Sequence, residues 1–72
     1  MTFTKLLKEL EATLPEMALQ LLPLSLSEET QRKLCELEVE EAGIILNRVI
    51  ELVNSGSVET IDMLTQKALE NR

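Results

Sequence analysis

Histidine, tryptophan and tyrosine are missing from this 72-residue chain, and phenylalanine and cysteine occur once each, as Phe3 and Cys35. Each absence closes a class of chemistry. Without histidine there is no imidazole base, no Ser–His or Cys–His nucleophile pair and no zinc site of the common kinds. One cysteine cannot close a disulfide within the chain, so Cys35 reads as a small buried apolar residue in a protein of a reducing compartment. Gly43 and Gly56 stand alone, which leaves no phosphate-cradling loop. A single aromatic ring offers no platform on which bases could stack. Basic residues are scarce too: 7 against 13 acidic ones, for a net charge of −6. That balance lacks the cationic surplus that displaces counterions from nucleic acid or an anionic membrane, so neither is an expected partner. Met1-Thr2-Phe3-Thr4-Lys5 does not have the form of a targeting segment, and no apolar run approaches the roughly 18 residues of a membrane span. The expectation is a soluble cytoplasmic protein that is not an enzyme and needs no cofactor.

Residues 1–72 form one small domain in this reading, and size sets its first problem. A chain this short buries only about 60% of its unfolded surface, and its core contributes about 3–5 kcal/mol. With disulfides and metals closed off, association with a second subunit is the remaining reinforcement.

What the chain does have is helical periodicity. From Thr2 to Leu22, Phe3, Leu6, Leu7, Leu10, Leu14, Met17, Ala18 and Leu21 fall within about 120° of arc at 100° per residue. Pro15 interrupts this stripe without shifting its phase. Either one helix kinks there, or Thr13 caps a second helix that keeps the same face inward. Leu22 to Ser27 breaks the pattern. Ser25-x-x-Glu28 reads as a capping box, with Ser27 as the competing N-cap. A helix is expected from there to Asn54, challenged only by Gly43, and Asn54-Ser55-Gly56 ends it. Ser57 then caps a short third helix, with Val58, Ile61, Leu64, Ala68 and Leu69 on one side.

Two rows of apolar residues match. Phe3, Leu7, Leu10, Leu14, Met17 and Leu21 are spaced 4, 3, 4, 3, 4, and Cys35, Val39, Ala42, Leu46, Val49 and Val53 repeat that spacing. Alternating threes and fours keep one seam against a neighbouring helix, and each row is about 27 Å long. The expected fold is all-α: an antiparallel helical hairpin with a long central helix and a short C-terminal helix, completed into a bundle by dimerisation. The apolar arc around Leu46 spans about 160°, wider than one neighbour covers. Leu37 and Ile44 lie almost opposite it, so the predicted partner or dimer interface is Leu34, Leu37, Ile44, Ile45 and Leu52. Glu38 projects into the apolar arc, where it would pair with Lys5, Lys8 or a basic residue of another chain, or reach water at the rim. The function expected is protein–protein interaction by a small acidic adaptor, assembly or regulatory subunit, with itself and another protein as partners.

Two resemblances supply alternatives. Glu38-x-x-Glu41 and Glu59-x-x-Asp62 resemble the acidic pairs of helical nucleotide pyrophosphohydrolases of the MazG type, which implies Mg²⁺-dependent hydrolysis. On a helical wheel Glu59 falls away from the apolar face and only Asp62 lies near it. Leu22-Pro23-Leu24-Ser25-Leu26, followed by Ser27-Glu28-Glu29-Thr30 and a helix, resembles the opening of ribbon-helix-helix regulators of the antitoxin kind. That resemblance implies that residues 22–26 pair as a strand between two chains. The outward positions would be Pro23 and Ser25 rather than the basic or amide residues that read DNA.

Overall fold

The computed structural model describes residues 2–71, and all the regular structure among them is helical. Five helices follow one another: α1 Phe3–Glu9, α2 Glu16–Ser25, α3 Glu28–Cys35, α4 Val39–Asn54 and α5 Ile61–Glu70. The all-α expectation holds, but the two long helices of the expected hairpin are each divided in two. Their boundaries follow from the apolar residues that have to turn inward.

α1 begins at Thr2, whose Oγ1 accepts from the Lys5 amide at 3.3 Å. It ends at Leu10, and the Leu14 amide closes back onto the Leu10 carbonyl at 2.9 Å. Pro15 is extended and is itself the N-cap residue of α2, so the chain divides here rather than kinking, and Thr13 is not the cap. Leu10 and Leu14 both stay buried through this turn.

The expected break at Leu22–Ser27 comes later than the sequence implies. Leu22 to Ser25 belong to α2, with Pro23 inside its last turn. A proline there removes one backbone hydrogen bond, the one its amide would donate to the Leu19 carbonyl; Gln31 of α3 separately caps the end of the helix, donating its Nε2 to the carbonyls of Pro23, at 3.3 Å, and Leu26, at 3.0 Å. The apparent alternation of Leu22, Leu24 and Leu26 is therefore not a strand, which removes the feature on which the ribbon-helix-helix resemblance rests. A strand would place all three on one face. The helix buries Leu22 and Leu26, four apart, and leaves Leu24 in solvent.

Ser27, and not Ser25, caps α3: its Oγ accepts from the Thr30 amide at 3.3 Å. The largest departure follows. A helix unbroken to Asn54 would hold Leu37 opposite the Leu46 face. Instead α3 ends at Cys35, and Glu38 becomes the extended N-cap residue of α4. That break lets Leu37 pack against the core alongside Leu34 and Ala42. Glu38, which the wheel aimed inward, is exposed. Gly43 does not interrupt α4. It is buried within the helix, and a Cβ there would stand 3.0 Å from Leu10 Cδ2, so its bareness admits the end of α1 against α4.

The end of α4 matches the sequence. Gly56 has φ +90°, and the amides of Gly56 and Ser57 donate to the carbonyls of Val53 and Leu52, both at 3.1 Å. This is the paired bonding of a Schellman stop. Ser57 does not start a helix; Thr60 caps α5 by accepting from the Met63 amide at 3.2 Å. Val58, placed on the apolar side by the wheel, is fully exposed ahead of it.

Leu6, Leu22, Leu34, Leu46 and Val49 form the driest part of a core shared by all five helices. α4 packs along α5, and α1 lies chiefly on α3, so the two heptad rows do not pair as one hairpin. The first row leaves the core after Leu14, with Met17 and Leu21 exposed. The chain's own helices cover the wide arc around Leu46 except at its Leu52 edge.

Gly43 gives a direct test of this packing. Replacing it with Ala gains about 1 kcal/mol of helix propensity, offset by displacing the Leu10 methyl, so urea denaturation should show a net change within about 1 kcal/mol. Gly43→Leu has no such room and should destabilise by about 1–3 kcal/mol.

Candidate functional site

An apolar concavity lies between α4 and α5. It is an open groove of about 650 Å³. Ile45, Val49 and Leu64 reach it from the core, Ala68 lines its α5 side, and Ile44 and Leu52 stand along its α4 lip. Arg48, Glu59, Lys67 and Asn71 supply polar groups around the apolar surface. The groove exists because the Ser55–Thr60 connection turns α5 back along α4 while small Ala68 leaves space between them. Lys67 and Glu59 form an ion pair across its rim. Arg48 has no ion-pair partner among the described residues.

The five predicted interface residues divide sharply. Ile44 is 69% exposed and Leu52 41%, and both line the groove. Ile45 lines it from a buried position. Leu34 is wholly buried and belongs to the core. Leu37, expected to be an exposed anchor, is half-buried against that core because of the break before α4. Sequence reasoning missed Leu64, Lys67 and Ala68 as the opposite wall of the groove. Their helical spacing signals that they share a face, but nothing local says that this face opposes Ile44.

The acidic pairs do not converge. Among the described residues no group of three or more Asp, Glu or Cys side chains is placed to hold a metal ion. Glu38 is exposed at a helix start, and Glu59 is engaged by Lys67. Asp62 has a structural task. One carboxylate oxygen accepts from the Ser27 amide at 3.1 Å and from Ser27 Oγ at 3.3 Å, and the other from Gln66 Nε2 at 3.0 Å. The α5 carboxylate therefore sits at the start of α3, where the helix dipole favours negative charge. Hydrogen bonds from Thr30 and from the Ser27 amide hold it below the usual aspartate range. Thr30, itself buried, also hydrogen-bonds Ser27 Oγ at 2.9 Å and Gln66 at 3.4 Å.

Cys35 is half-buried and free, packed against the core as a small apolar residue. Burial pushes its thiol up, away from the thiolate form that reacts. No helix among the described residues is long and apolar enough to cross a membrane. No protein-family model, curated protein or solved structure matches the chain.

Asp62 carries a pH dependence whose sign follows from its lowered pKa. Its contribution is fully present above the unfolded aspartate value of about 3.9 and is lost as pH falls through the lower folded value. Asp62→Asn should cost about 1 kcal/mol at pH 7, given the partial exposure of the site. In thermal melts from pH 7 down to 2, the gap between the two proteins should close at the acid end.

Proposed function

We propose that this protein is a protein–protein interaction module that acts by self-association through the α4–α5 groove. One observation carries the reading: Ile44 and Leu52 stand exposed along an apolar groove in a chain whose core is closed without them. Side chains needed for folding are drawn inside, as Leu34, Ala42 and Leu46 are. Branched apolar side chains left outside along a concave apolar surface are the usual mark of an interface. The occupant is a second copy of the chain, which makes the working form a homodimeric helical bundle.

Several features support that choice. A 72-residue chain has little stability to spare, and association adds to it by mass action. Its acidic surface disfavours contact with polyanions and gives orientation to contacts with neutral or basic partners. The dimer would serve as an adaptor, assembly or regulatory subunit, presenting its remaining acidic helix faces to another protein. A single free cysteine held as a core residue suits the reducing conditions of the cytoplasm.

Sedimentation equilibrium at micromolar concentration should give a mass twice the 8.1 kDa of the chain. Ile44→Glu should weaken association by at least about tenfold, since a central apolar anchor is worth more than about 1 kcal/mol, while helicity by circular dichroism stays unchanged. A well-folded monomer at that concentration overturns the reading.

A further inference from the structure

A second exposed apolar surface matches the groove in length and charge. On α2, Met17, Leu21 and Leu24 are all exposed. At 100° per residue they fall within about 60° of arc, forming a narrow ridge about 10 Å long. Along the groove, Ile44 and Leu52 stand eight residues apart, about 12 Å. Met17 and Leu21 belong to the part of the first heptad row that left the core after Leu14, and Leu24 continues the ridge one step beyond that row.

Charge decides between this ridge and another apolar surface available on a second copy, the α4 lip itself. Two α4 helices packed antiparallel could place Ile44 of one over Leu52 of the other. The same register puts Arg48 on the twofold axis, facing its own counterpart, and like charges so placed repel. Lys67 is already engaged by Glu59, so Arg48 is the rim cation left to be matched. The α2 ridge brings a carboxylate instead. Glu16 adjoins Met17, is exposed, and has no ion-pair partner among the described residues.

We infer that the Met17–Leu21–Leu24 ridge of a second copy of this chain fills the α4–α5 groove, with Glu16 of that copy paired to Arg48. This rests on the groove being the self-association surface, and it names which part of the second copy enters. Each copy has one ridge and one groove, so reciprocal exchange closes the dimer with two equal contacts and leaves neither surface open.

Thiol cross-linking tests the pairing. In a Cys35→Ser background, Leu21→Cys and Leu52→Cys are prepared separately, and a short bismaleimide is applied to each and to their mixture. Sedimentation of the same samples reports their mass. The mixture should cross-link at least about tenfold faster than Leu52→Cys alone, as contact raises the effective concentration of the two thiols. If Leu52→Cys links to itself as fast as the mixture links, α4 packs on α4 and the inference fails. A dimeric mass without linkage between positions 21 and 52 also overturns it, while leaving self-association standing; a monomeric mass overturns both. Charge reversal gives a second readout. Glu16→Arg and Arg48→Glu should each weaken association by about fivefold, and the double variant should recover most of the loss. Additive losses would mean that the two charges do not meet.

Discussion

Leu6, Leu22, Leu34 and Leu46 come one each from α1, α2, α3 and α4, and none of them has any surface left in solvent; Leu64 of α5 is nearly as deep. One leucine per helix, gathered into a common core, is the constraint on which the architecture depends. α1 has 7 residues and α3 has 8, below the length at which a helix persists in water unaided. Each is therefore held by burying its leucine against leucines from elsewhere in the chain. Truncating such a side chain typically costs about 2–5 kcal/mol, comparable with the whole stability of a small domain.

The polar features follow from closing that core with short helices. Ten helix ends occur among the described residues, and every end leaves backbone groups without partners. Thr2, Ser27 and Thr60 cap locally. Others are satisfied at a distance: Gln31 serves the end of α2, and Asp62 reaches the start of α3 from 35 residues away. The Asp62–Ser27–Thr30–Gln66 cluster thus ties α5 to α3. Because the core closes within the chain, the apolar side chains of the α2 ridge and the α4 lip are surplus to folding. Their placement on a ridge and beside a groove is what connects the packing to the proposed association.

Local signals were legible wherever one short segment contains the whole cause. Ser27 is followed three residues on by an amide it can accept from, and Gly56 follows the last apolar turn of α4 and takes up positive φ. The inward face of α4, with Ala42, Leu46 and Val49, is plain from spacing alone. The break at Glu36–Glu38 was not legible, because Glu38 is a poor N-cap and makes no side-chain cap bond. The break brings Leu37 halfway into the core, a contact between distant parts of the chain. Pro23 misled in the opposite direction: its missing donor suggests an end to the helix, and the Gln31 amide that caps the actual end lies eight residues downstream.

The candidate site shows the same division. Ile44 could be placed outside the core from its position on a wheel, since angular position along one helix is a local property. The neighbours of a face are not. Leu52 shares Leu34's edge of the apolar arc and is left at the groove lip only by the packing, and only the packing buries Leu34 fully and Leu37 halfway against the core. The sequence by itself determined that the chain is helical, acidic, without histidine chemistry, and richer in apolar positions than two paired helices would need. Tertiary structure decided where the helices divide, which apolar residues remain in solvent, and that α5 lies along α4 to form a groove. Burial depends on two surfaces meeting, and a periodic pattern describes only one of them.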